Sequence, residues 1–153
     1  MEKISHLIDK IARSSLFFLV SLMAIVVFAQ VILRFVFKHS LFWSEELSRY
    51  LLVWISFIGA SIAFKSGYHI GVQFMLNKAP NNFRKILEFS SSFFILFFLI
   101  VVTIKGVSLC RFTFFQFSPA MRIRMAYPYA AIPVGSLLMI IHLIADISER
   151  IKS

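Results

Sequence analysis

Twenty consecutive residues, Ser14 to Leu33, carry no charged side chain. A run of that length is what an α-helix needs to cross the ~30 Å hydrocarbon core of a bilayer, where backbone N–H and C=O groups must pair within their own segment. Leu51–Phe64 and Phe89–Ile104 are likewise uncharged, and Met125–Ile147 is a fourth long apolar stretch. Composition supports lipid as the solvent: 59% hydrophobic residues, a mean hydropathy of +0.86 and 19 phenylalanines exceed what a soluble domain carries. The expected fold is an all-α integral membrane protein, one domain over residues 1–153. Its four transmembrane helices are predicted at about 14–33, 47–64, 86–104 and 125–147.

The flanks divide these spans. Ile4, Leu7, Ile8 and Ile11 recur at helical spacing opposite Glu2, Lys3, Asp9, Lys10 and Arg13, giving an amphipathic lead-in suited to the membrane interface. Val27-Phe28-Ala29 resembles a signal-peptide cleavage pattern, but the apolar run continues to Leu33, so the segment is expected to be retained. Lys65-Ser66-Gly67 is read as breaking helix two, and Tyr68–Leu76, too short to span, as an interfacial or partly re-entrant piece. Asn77–Asn82 is a turn, with Pro80 suited to the first turn of helix three. Lys105–Arg124 reads as an interfacial loop with aromatic anchors and a turn at Ser118-Pro119. Helix four is expected to tolerate Pro128 and Pro133 near its start. Four crossings put both termini on one side. Lys and Arg number nine on that side and seven on the other, too even a split to orient the chain by the positive-inside rule.

A net charge of +9 could suggest nucleic acid, but the bases are dispersed between apolar runs, as expected of flanks held in an anionic membrane. Membrane lipid is therefore an expected partner and nucleic acid is not. Cys110, alone, excludes an intramolecular disulfide and a paired-cysteine oxidoreductase. Of the histidines only His142 lies in an apolar segment, which excludes paired axial ligands for haem. No phosphate loop, His-Glu-x-x-His zinc pattern or nucleophile elbow occurs. Catalytic residues, cofactor-binding residues and metal ligands are accordingly not expected. A stand-alone ion-coupled carrier normally places an ionisable group deep in the membrane. The four cores are read as free of Asp, Glu, Lys and Arg, and so as supporting something else. Gly59, Ser61 and Gly135 are candidates for close helix packing.

The most informative stretch is Ser40–Val72. Ser44 is placed as N-cap of helix two, with Glu45 and Glu46 in the first turn near the positive dipole end and Arg49 positioned to neutralise them. Trp43, Tyr50 and Trp54 cluster at that end as interfacial rings do.

Arg34-Phe35-Val36-Phe37, Ser40–Tyr50, Val53-Trp54, Gly59-Ala60, His69-Ile70-Gly71-Val72, Ser118-Pro119-Ala120-Met121 and Ile132-Pro133-Val134-Gly135 occur in an order that resembles the DctQ-like small membrane subunit of tripartite ATP-independent periplasmic (TRAP) transporters. Arg124 departs from that pattern, which has a proline in this segment. The resemblance implies a bacterial inner-membrane protein with cytoplasmic termini. It would partner a large multi-pass subunit that carries substrate and sodium, served by a periplasmic binding protein delivering a dicarboxylate, sialic acid or another carboxylate. It casts Arg34, Trp43, Glu45, Glu46, Arg49, Tyr50 and Trp54 as a partner interface or periplasmic entrance, and His69, Ser118 and Pro119 as loop-shaping residues. The competing readings are a small homo-oligomeric exporter or channel, and an accessory subunit of another membrane complex.

Overall fold

The computed structural model describes the backbone of residues 2–38, 41–77 and 81–152, and the side chains of 7–38, 41–66 and 89–148. The chain forms α1 (Glu2–Phe35), α2 (Phe42–Asn77), α3 (Asn81–Thr113), the single turn α4 (Ala126–Tyr129) and α5 (Ala131–Lys152). Among the described residues four segments are long and apolar enough to cross a membrane: Leu7–Phe35, Phe42–Ser66, Phe89–Thr113 and Ala126–Ser148. The expected all-α fold with four spans is present.

The helices outrun the apolar runs that announced them. The amphipathic lead-in continues into helix one without interruption, making α1 34 residues long. At 1.5 Å per residue that is roughly 50 Å, more than a bilayer core requires. Helix two does not break at Lys65-Ser66-Gly67; α2 runs on to Asn77, so Tyr68–Leu76 is its continuation and not a re-entrant piece. A glycine inside a helix costs only about 1 kcal/mol, too little to end one whose backbone bonds continue on both sides. His69 therefore lies on a helix rather than in a loop, and its side chain falls outside the described residues, as does the expected placing of Pro80. Helix three extends past Ile104 to Thr113, which shortens the predicted Lys105–Arg124 loop to residues 114–125. Helix four is divided into two pieces. Pro128 sits in α4, Ala130 joins it to α5 in helical conformation with φ of −60° and ψ of −20°, and Pro133 falls in the first turn of α5, where a missing N–H is not needed. Ala130 N–H donates to Ala126 O at 2.9 Å and Val134 N–H to Ala130 O at 3.2 Å, so helical pairing continues on both sides of the junction.

The charge-free reading of the cores needs correction at three places: Arg49, exposed, Glu88, whose side chain lies outside the described residues, and Asp146, buried, fall inside the spans predicted at 47–64, 86–104 and 125–147. All three are near span ends.

Packing follows an open row. α1 lies on α2, α2 on α5 and α5 on α3, with smaller contacts of α1 with α5 and of α2 with α3, whereas among the described residues α1 and α3 do not touch. α5 is the most buried span and α1 the least. One apolar cluster joins Ala12 to Ile58 and Ile62, with Leu16, Leu19 and Trp54 against it. A second joins Leu99 to Leu143, flanked by Ile95, Met139 and Ile140. Small residues permit the close approaches. A Cβ on Gly135 would lie 2.7 Å from Phe57 Cβ and 3.0 Å from its carbonyl oxygen, and one on Gly106 3.0 Å from both Ile132 and Pro133. Gly59 is looser, 3.8 Å from Leu16. Thr103 and Ser136 hydroxyls meet at 2.8 Å between α3 and α5, while Ser61, fully buried, donates to Ile58 O on its own helix. The two edge helices turn phenylalanines outward: Phe17, Phe18 and Phe28 on α1, and Phe89, Phe93, Phe94, Phe97 and Phe98 on α3.

Candidate partner-facing site at the loop end

The start of α2 and the 114–125 loop meet at one end of the row. α2 starts at Phe42, so Ser44 is not its N-cap; it is fully buried inside the first turn, where its hydroxyl donates to Leu41 O at 2.8 Å and its N–H to the same oxygen at 3.2 Å. With the start of α2 fixed, the adjacent glutamates diverge by about 100° around the helix axis. Glu45 points outward and Glu46 inward, where only 8% of it remains exposed.

Glu46 is the organising group. One carboxylate oxygen accepts from the Tyr50 hydroxyl, a turn further along α2. The other accepts from the backbone N–H groups of Ala120 and Met121, each at 2.9 Å. A carboxylate offers acceptor sites only, and three converging donors match it. The loop is shaped to make those donors available. Phe117 and Arg124 face each other in an isolated antiparallel bridge, with Ser118 N–H donating to Ile123 O at 2.9 Å and Met125 N–H to Gln116 O at 2.9 Å. Arg122 closes the turn in the left-handed region, with φ of 53°. The buried Ser118 hydroxyl accepts from Ile123 N–H at 3.3 Å. Met125 Sδ lies 3.2 Å from the Tyr50 hydroxyl. The arginine at 124 in place of a proline leaves the bridge intact, because its bonds are given by Ser118 and Met125. Its guanidinium lies 4.3 Å over the Phe114 ring.

Beside this clamp is an open cleft of about 330 Å³, with Glu45 and Arg49 at its exposed side and Tyr50, Met125 and Pro128 beneath. The expected neutralisation of the helix start does not form: among the described residues no ion pair links Arg49 to Glu45 or Glu46. Glu46 is spent on the loop instead. The remaining members of the predicted set spread out. Trp43 is partly exposed, Trp54 packs into the α1–α2 cluster away from the cleft, and Arg34 is exposed in the last turn of α1. Pro119 lines the cleft.

A second polar group was missed in the sequence. Near the opposite end Asp9 Oδ2 of α1 meets Arg13 Nε at 3.1 Å and Lys65 Nζ of α2 at 3.4 Å. His142 of α5, buried, is within electrostatic reach of Lys65 and Asp9, and the buried Asp146 lies one turn beyond it. The available signal was spacing: an i, i+4 pair in each of two helices, Asp9 with Arg13 and His142 with Asp146. Among the described residues no group of three or more His, Cys, Asp or Glu is placed to hold a metal ion.

The fold is that of a multi-pass membrane protein whose most elaborate polar site, among the described residues, shapes a loop. The chain is a member of the family "Tripartite ATP-independent periplasmic transporters, DctQ component", whose profile matches residues 23–153. It is 37% identical over 89 residues to a Haemophilus influenzae chain named as a TRAP transporter small permease protein, covering 58% of this chain and 55% of that one. It is 31% identical over 138 residues to the ectoine TRAP transporter small permease protein TeaB of Halomonas elongata, 88% of this chain and 71% of that one. Similarity extends to the isethionate TRAP transporter permease protein DctMQ of Oleidesulfovibrio alaskensis, 27% over 114 residues, 72% of this chain and 18% of that protein. Other matches are small permease proteins named for C4-dicarboxylate and sialic acid. The matched stretch thus spans from under a fifth to about half of several of these curated relatives. The similarities support a TRAP small subunit, not a stand-alone exporter or channel.

Proposed function

We propose that this chain is the non-catalytic brace of a TRAP transporter, holding the large substrate- and sodium-carrying membrane subunit during uptake of an organic acid. The observation that carries the reading is the open row. In this staggered row α1 and α3 stay apart at the two edges, among the described residues, and both edges are rich in exposed phenylalanine. Such a slab is suited to lying along a larger neighbour, adding width to the immobile part of the transporter while the neighbour's substrate-bearing domain moves. Family membership supports it, as does the relative named DctMQ, in which the similar segment is a small part of a far longer permease protein. Relatives of this subunit are named for ectoine, isethionate, C4-dicarboxylate and sialic acid, which supports substrate choice residing in other subunits.

In this reading the chain resides in the bacterial inner membrane with both termini cytoplasmic. The loop end carrying Glu45, Arg49 and the 114–125 loop then faces the periplasm, where a substrate-binding protein docks transiently. Co-expression of this chain with the large multi-pass subunit and purification through a tag on this chain is the test. Stoichiometric recovery of the large subunit is expected; recovery of this chain as a stable monomer would contradict the proposal.

A further inference from the structure

We infer that the chain binds an anionic phospholipid in the groove between the end of α3 and the α4–α5 junction, with an acyl chain in the groove and the phosphate on Arg111. α3 and α5 approach closely at Gly106, where Ile132 and Pro133 leave little room for a side chain. Beyond that point α3 runs on to Thr113, opposite the junction of α4 and α5 at Ala130. Between them lies an open groove of about 550 Å³, within the range of small-molecule sites. Its walls are apolar, from Val107, Phe114, Ala126, Ala130 and Pro133, and the charged residue of its lining is the exposed Arg111.

The occupant follows from charge and depth. Arg124 lies 4.3 Å over the ring of Phe114, itself a wall of the groove, so a second guanidinium sits beside that wall. Among the described residues neither arginine has a carboxylate within ion-pair distance. The surrounding Phe112, Phe115 and Phe117 are exposed at the end of a membrane span, as aromatic residues are at headgroup level. A cationic mouth over an apolar slot at that depth matches a phosphate headgroup with its hydrocarbon tail. A purely apolar helix of a protein partner would fill the slot but leave the exposed Arg111 without an anion.

The test uses the full chain in mild detergent, with mass spectrometry of the intact complex after adding phosphatidylglycerol or phosphatidylcholine of identical acyl chains. Phosphatidylglycerol is expected to be retained preferentially. Arg111→Gln should reduce its retention by about fivefold, what one arginine commands over an anionic lipid, while Arg122→Gln, outside the groove, leaves it unchanged. Ala130→Phe, which fills the slot, should abolish retention of both lipids in protein whose helical circular dichroism is unaltered. Equal retention of the two lipids, or equal effects of the two arginine variants, would overturn the site. So would a photoreactive side chain at Val107 that crosslinks in native membranes to protein instead of lipid.

Discussion

The two ends of the row use charge in opposite ways. At the loop end one buried carboxylate, Glu46, is satisfied by backbone N–H groups 74 and 75 residues away in sequence. At the other end Asp9 is met by side chains, Arg13 and Lys65. Backbone donors have fixed positions, so the Glu46 contact dictates the shape of the 114–125 loop. Long flexible cations can re-pair or retreat to headgroups, so the Asp9 contact tolerates change. Polar groups at the loop end specify a surface, whereas those at the terminal end hold neighbouring helices together.

Substitution at Glu46 is the sharpest way to break this contrast. Glu46→Ala removes the acceptor for two loop amides, and their hydrogen exchange should accelerate on the order of a hundredfold, with proteolysis appearing between Ser118 and Arg124. Undisturbed protection at Ala120 and Met121 would show that the loop folds without the clamp. Next in size, Gly135→Leu drives a side chain into Phe57 midway between the ends. It should cost about 1–3 kcal/mol in thermal unfolding in detergent while leaving loop amide protection intact. Asp9→Asn should cost under about 1 kcal/mol, an effect that shrinks further in high salt because the pair is partly solvated. A loss as large as that of Gly135→Leu would mean the terminal end is as rigidly specified as the loop end. Smallest is Arg124→Pro, expected to leave unfolding and loop protection unchanged because the bridge draws its donors from Ser118 and Met125.

The spans were legible because lipid permits few backbone solutions, and Ser14–Leu33, Leu51–Phe64 and Phe89–Ile104 announce themselves by lacking charge. Their ends were not, since a helix once formed continues through Gly67 or past Lys105 at little cost, and hydropathy does not register that. Glu46 was singled out, but alongside Glu45 and Arg49 as a local helix start. Its true donors lie in a loop that no local pattern connects to it. Asp9, Lys65 and His142 were passed over for the same reason, each unremarkable in its own segment and meaningful only once α1, α2 and α5 are side by side.

Reconstituting this chain and its large neighbouring subunit into liposomes, together and separately, with the cognate binding protein and a sodium gradient, tests the bracing role most directly. Uptake of the organic acid is expected from the pair and from neither alone. Uptake by this chain alone, or undiminished uptake by the large subunit without it, would contradict that role.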